Sequence, residues 1–213
     1  MESKADRKDQ LRKRFEELVL RYTNDVPLVY SFWAEIETKY SRKLRHYHNL
    51  HHLENLLELL IEVKSLIKDW DVTLFALFYH DLVYNPARRD NEEKSAQCAE
   101  KRLESINFPK RGIDKCVKMI LATAGHADAG DDDINLFTDA DLAILGCDPA
   151  RYTGYTEQVR KEYRIYPDIL YKPGRRKVLQ HFLNMERIFK TDYFYNKFET
   201  LARKNLNSEL MAL

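Results

Sequence analysis

Residues 74–86 read LFALFYHDLVYNP. Leu74 to Tyr79 is an unbroken apolar and aromatic run, with Val72 just before it. It has neither the two-residue alternation of a half-buried strand nor the single stripe of a surface helix. An element that is apolar all round lies inside a core. The chain holds only six Gly and six Pro in 213 residues, too few turn signals for a sandwich of short strands, so the run is expected to be a buried helix over 72–84. It should end near Asn85-Pro86, because proline disfavours helix at the residue before it. His80 and Asp81 fall at its end. A buried carboxylate is costly unless it is paired or bound to a cation, and a neutral nitrogen beside an anionic oxygen suits a borderline divalent ion.

On either side of this run, helical periodicity recurs along the whole chain. Helices are expected over about 8–23 (Leu11, Phe15, Leu18, Val19, Tyr22), 28–40 and 48–67 (Leu53, Leu56, Leu57, Leu60, Val63) before the central segment. After it come about 90–106, capped by Asp90 or Asn91, and 112–123. A polar loop, ADAGDDDIN, should precede a short helix through Leu145 capped by Thr138 or Asp139. Further helices are expected over about 149–166, 175–189 and 193–210. No stretch alternates as a strand, so the fold class is all-α, a single compact multi-helix bundle. There is no repeat and no linker.

Composition narrows the function classes. Hydrophobic residues at 44% and charged residues at 32% describe a globular chain rather than a disordered one. A formal net charge of +1 gives no global attraction to nucleic acid or to a membrane surface. No apolar run approaches the roughly 20 residues that span a bilayer, and the charged start MESKADRKDQ has no apolar signal core. The three cysteines, Cys98, Cys116 and Cys147, have no paired spacing, which fits reduced thiols in a cytoplasmic protein.

Two more segments carry candidate chemistry. In RHYHNLHHL, residues 45–53, a helix would put His48 and His52 on one face and His51 on another. Taken alone, this segment reads as surface or hydrogen-bonded histidines. In LFTDADLAILG, residues 136–146, Asp139 suits a first-turn or capping role, whereas Asp141 is followed by Leu142, Ile144 and Leu145 and is the better ligand candidate. Together the three segments offer two imidazoles and two carboxylates. That set suits Mn, Fe, Co, Ni, Zn or Mg.

The order His52, then His80-Asp81, then Asp141 resembles the pattern of the HD superfamily of phosphohydrolases. Tyr47-His48-Asn49-x-x-His52 is also similar to the YHNxxH signature of cyclic-nucleotide phosphodiesterases. A nearer likeness is to short proteins described as predicted metal-dependent HD superfamily phosphohydrolases. It runs through YHNLHHL, FYHDLVYNP, DNEEKSA, ATAGH, FTDADLAILG, VRKEY, GRRKVL and ARKNL. The resemblance implies one HD-type helical domain over 1–213, with a metal-site core at about 45–145 and C-terminal helices 149–210 packed on it. It implies His52, His80, Asp81 and Asp141 as ligands of a divalent ion, and a second ion bridged by Asp81 is a further option. His48 would be the general acid, with Asp81 also in the catalytic set and a metal-activated water as nucleophile. The substrate would be a phosphate ester of a nucleotide or another small metabolite.

Around that set, Tyr47, Asn49, Tyr84, Glu92, Ser95, His126, Asp139 and Arg160 are candidates for substrate contact or ligand support. Tyr84 stands about where cyclic-nucleotide phosphodiesterases carry a further histidine. His126 is the one candidate for the middle histidines of two-metal HD proteins. Glu92 and Ser95, one turn apart, either face the cleft or simply start a helix. Arg45, Arg88, Arg89, Arg160 and Arg175 are candidates for neutralising phosphate. Residues 159–176, with Arg160, Glu162, Tyr163, Tyr166 and Arg175, form either a substrate-side wall or a solvated helix face with tyrosine packing. An HD-type di-iron oxygenase and a non-catalytic nucleotide-sensing module are the alternative readings.

Overall fold

The computed structural model describes residues 4–213. It is all-helical, with no strand among the described residues. Among the described residues ten α-helices run in chain order as α1 Lys4–Val19, α2 Val26–Tyr40, α3 Leu50–Glu62, α4 Trp70–Tyr79, α5 Asn91–Ser105, α6 Lys110–Ala122, α7 Asp132–Leu142, α8 Pro149–Glu162, α9 Asp168–Leu183 and α10 Asp192–Ala212. Short 3-10 turns follow α3 at Lys64–Leu66 and α7 at Ala143–Gly146.

The apolar run is the centre of the molecule. Every residue of α4 from Val72 to Tyr79 is buried, as its all-round apolarity requires. Helices α1, α3, α5, α6 and α7 all pack against it. Its aromatic rings meet those of its neighbours edge to face, Phe78 with Phe15 at 4.9 Å and Phe75 with Phe108 at 4.9 Å between centroids. This is the favoured geometry for aromatic pairs. Helix α10 closes the other side. Asn205 donates to the carbonyls of Leu145 and Cys147, and Gly146 lies so close to α10 that a Cβ there would sit 2.5 Å from the Phe198 carbonyl oxygen.

Several helix ends differ from the expected ones, each for a local reason. α3 begins at Leu50, not His48, because Asn49 is its N-cap, its side chain accepting from His51 N at 2.9 Å. His48 therefore lies outside the helix, and the four-residue spacing does not place it on the His52 face. α4 ends at Tyr79, so His80 and Asp81 sit just past its last turn. α7 begins at Asp132, because Asp131 caps it by accepting from Asp133 N and Ile134 N. Neither Thr138 nor Asp139 is a cap. Asp90 does sit at the cap position of α5, but Arg88 holds its carboxylate. α9 starts at Asp168 and runs through Pro173, held on α10 by a bidentate Arg175–Glu209 pair at 2.7 and 2.9 Å. No helix among the described residues is long and apolar enough to cross a membrane.

Candidate metal centre

Three helix ends bring the candidate ligands together. His52 is in the first turn of α3, on its buried face with Leu53 and Leu56. His80 and Asp81 follow the last turn of α4, and Asp141 is in the last turn of α7. His80 Nδ1 lies 3.0 Å from the Leu77 carbonyl oxygen. A carbonyl can only accept, so the proton is on Nδ1 and Nε2 faces the site in the neutral ring, an orientation typical of metal-binding histidines.

The distances among the four groups form a compact figure. His52 Nε2 lies 3.1 Å from His80 Nε2 and 3.2 Å from Asp141 Oδ1, and His80 Nε2 lies 3.2 Å from Asp81 Oδ2. The two crossing distances, His52 to Asp81 and His80 to Asp141, are 3.9 and 3.8 Å. Two donors each about 2.1 Å from one cation and a right angle apart stand roughly 3 Å from one another, so the short edges fit a shared ion. His52, His80 and Asp81 form a group that could hold a metal ion, with donor atoms all within 4.8 Å of one another.

The charges also suit a cation. Neither Asp81 nor Asp141 has a lysine or arginine partner among the described residues, and their ion-pair partners are all histidines. Burial acts to raise both carboxyls, yet both are held low. Asp81 is driven well below the carboxylate range by the positive charges of His80 and His48. Asp141 is brought down to about 2 by its bond to His52 and the charge on His80. Burial opposes the charge on His80, but Asp81 overcomes it and lifts His80 to about 9. Without a cation the site thus balances its carboxylates with protons on imidazoles. A cation taking His80 Nε2 must displace one. Below pH 9, apparent affinity is therefore expected to rise with pH by about tenfold per unit for each proton released. Titration of the metal-stripped protein between pH 6 and 8 measures this slope, and a flat profile would contradict it.

A buried arginine locks two of the segments together. Arg45 donates to the carbonyls of Asp81 at 2.7 Å, Leu82 at 2.9 Å and His48 at 3.2 Å. Its guanidinium also stacks on the rings of Tyr40 and Tyr84. Tyr40 accepts from Asp81 N. Ser95 is buried and clamps Val83 through both its backbone N and O. The site is thus built on a rigid turn just after α4.

The remaining sequence candidates divide into two groups. Tyr47, Tyr84, His48, Glu92 and His126 surround the four donors. Tyr47 packs its ring on His48, His52 and Tyr155. Tyr84 stacks on His48 with centroids 4.3 Å apart. Burial, followed by the charge of Asp81, raises the Glu92 carboxyl. His126, at a positive φ of 51° after α6, has Nε2 3.8 Å from Asp141 Oδ2, and burial lowers it to about 4. The others are engaged away from the donors. Asn49 caps α3 and donates to the His46 carbonyl. Asp139 points out of the back of α7, where it accepts from Lys190 N, Thr191 N and Thr191 Oγ1 and fixes the entry to α10. Arg160 holds the α8–α9 turn through Asp168 and the Tyr163 and Tyr166 carbonyls.

The arginines proposed for phosphate are mostly engaged as well. Arg45 and Arg175 are buried in the contacts above, and Arg88 pairs with Asp90. Two basic residues that sequence reasoning did not single out stand nearer. A pocket of about 460 Å³ opens beside His52 and Asp141, between α3, the 143–146 turn and α10, and its walls include Arg151 and Lys197. The carboxylate of Glu62 holds Lys197.

Glu162, which the sequence offers only as part of a substrate-side wall or a solvated helix face, is the last residue of α8. Its carboxylate is fully buried beside the centre. Oε1 accepts from Tyr47 N at 2.8 Å and His48 N at 3.0 Å. Oε2 is 2.7 Å from His48 Nδ1 and accepts from the Tyr84 hydroxyl at 2.8 Å. Burial acts to raise this carboxyl, but its bond to His48 and that ring's charge bring it down to about 2. Burial likewise acts against charge on His48, but Asp81 and Glu162 together raise it above its usual value.

No family model, curated protein or solved structure matches this chain.

Proposed function

We propose that the chain is a metal-dependent phosphohydrolase of HD type, cleaving a phosphate ester of a nucleotide or another small metabolite. The observation that carries this reading is the grouping of His52, His80 and Asp81, with Asp141 Oδ1 3.2 Å from His52 Nε2 and with His48 held by Glu162 beside them. His52, His80, Asp81 and Asp141 would hold the ion, and its donor set of two nitrogens and two oxygens suits Mn, Fe, Co, Ni, Zn or Mg. When bound, such an ion supplies positive charge to a phosphoryl group and acidifies water.

The chain's own side chains supply the rest. Asp81 and Asp141 are the negative charges that draw the cation in. Arg45 and Ser95 hold the turn that carries His80 and Asp81. Tyr84 stacks on His48 and Tyr47 meets it edge to face, which holds the ring in place. As the ester bond breaks, its electron pair stays on the leaving oxygen. The Nε2 proton of the His48 imidazolium passes to that oxygen, and the ring is left neutral with its proton on Nδ1. One ion per chain is the simplest loading. A second ion would share Asp81 and take Glu92 or His126 as a further ligand.

A panel of phosphomonoesters and phosphodiesters, run on metal-stripped protein refilled with each of the six metals in turn, tests the reading. Turnover that appears with one or more metals and disappears on chelation is expected. Undiminished activity in metal-stripped protein would overturn it. Two irons per chain with dioxygen consumption would point to oxygenase chemistry instead, and tight nucleotide binding without turnover to a sensing module.

A further inference from the structure

We propose that Glu162 is the positioning residue for proton donation, fixing His48 with its proton on Nδ1 so that Nε2 serves the leaving group. The proposal rests on the phosphohydrolase reading for the step it assists, but the geometry behind it is independent of that reading.

The motif alone leaves His48 undirected. A ring outside a helix, at the end of a turn, can present either nitrogen and can rotate about two side-chain bonds. Glu162 removes both freedoms. One of its oxygens holds the backbone N–H of Tyr47 and of His48, which fixes the peptide from which the ring springs. The other is 2.7 Å from Nδ1, and a carboxylate at that distance can only accept, so Nδ1 carries a proton in both the neutral and the charged ring. Tyr84 closes the arrangement. Its hydroxyl donates to the same oxygen and its ring stacks on the imidazole, so the ring plane is held as well as its edge. A carboxylate that accepts four hydrogen bonds while fully buried is rigid. With Nδ1 occupied, the nitrogen left to give a proton to an ester oxygen and remain neutral afterwards is Nε2.

The fold delivers Glu162 from a distant part of the chain, 114 residues from His48. It is the last residue of α8. There Arg160 ties down the following turn through the Tyr163 and Tyr166 carbonyls. Helix α8 thus meets the metal-site segment through this carboxylate and through the Tyr155 ring against Tyr47.

The variant Glu162→Gln tests this with little change of shape. The amide oxygen can still accept from Tyr47 N and His48 N. The amide nitrogen then faces Nδ1 as a donor, so the neutral ring must move its proton to Nε2. Two readouts are taken on the full chain. The first is the ¹⁵N spectrum of the His48 ring, in wild type and variant. The second is turnover of phenyl phosphate and 2,4-dinitrophenyl phosphate with the metal that best supports activity. Phenoxide needs a proton as it leaves and dinitrophenoxide does not.

The expected result is a proton on Nδ1 in wild type and on Nε2 in the variant. Phenyl phosphate turnover should fall about 10²-fold and dinitrophenyl phosphate turnover less than about threefold, with metal content unchanged. Equal losses on both esters, or a wild-type ring that carries its neutral-form proton on Nε2, would overturn the proposal. The wild-type spectrum decides the matter even if E162Q does not fold. If wild type hydrolyses neither ester with any metal, the phosphohydrolase reading fails, and the ring proton alone decides for or against the role of Glu162.

Discussion

Replacing Asp81 by alanine is expected to abolish metal binding and reduce phosphoester turnover by about 10³-fold or more, while the protein stays folded. The size of the effect follows from where the side chain sits. Its Oδ2 is 3.2 Å from His80 Nε2 and 3.9 Å from His52 Nε2, so it contacts both imidazoles of the donor set. Without it, two buried histidines and Asp141 remain, with half the negative charge. The fold should tolerate the change because what anchors residue 81 is backbone. Its N–H donates to Tyr40 and its carbonyl accepts from Arg45, and alanine keeps both. Elemental analysis, circular dichroism and turnover on the same preparation check the prediction. A folded variant with full metal content and full activity would remove Asp81 from the site.

Replacing His48 by alanine is expected to leave metal content at the wild-type level and to lower turnover of esters with poor leaving groups by about 10²- to 10⁴-fold. His48 is near the donors but is not one of them. Its Nδ1 is committed to Glu162, and its ring centroid is 5.9 Å from that of His52. A ligand role predicts loss of metal. A proton-donor role predicts loss of turnover alone, greatest for alkoxide leaving groups. Parallel metal analysis and kinetics on esters of graded leaving-group acidity separate the two. Loss of the ion in this variant would make His48 a ligand and leave the proton donor unassigned.

Much of this architecture is legible in the sequence, and the parts that are not share a cause. The buried helix α4 follows from an apolar run with no polar face, and the all-helical class from that run, the sparse turn residues and the recurring 3.6-residue stripes. The choice of Asp141 over Asp139 also has a geometric counterpart. The two side chains lie two positions apart on α7 and leave it in different directions, one toward His52 and the other toward residues 190 and 191. The start of α7 was obscured because four aspartates in ADAGDDDIN look like a polar loop. Asp131 caps the helix, and Asp133 turns inward to hold the backbone of Lys68 and Asp69 and the ammonium of Lys115. Asn49 likewise hides a helix start inside a histidine-rich motif. Glu162 was least legible. It lies in a highly charged helix whose pattern looks solvated, and its significance depends on hydrogen bonds to backbone atoms more than a hundred residues away. Local periodicity carries no information about such contacts. Arg45 was misread for a similar reason: its partners are carbonyls, which any sequence provides.

The function proposed for this chain depends on His52, His80, Asp81 and Asp141 together binding a divalent ion. The most direct test is equilibrium titration of the metal-stripped chain at pH 8 with Mn²⁺, Fe²⁺, Co²⁺, Ni²⁺, Zn²⁺ and Mg²⁺, run beside Asp141→Ala. Stoichiometric binding of at least one of these ions by the wild-type chain, and its loss in the variant, is expected. Failure of the wild-type chain to bind any of the six, or binding that Asp141→Ala leaves unchanged, would contradict it.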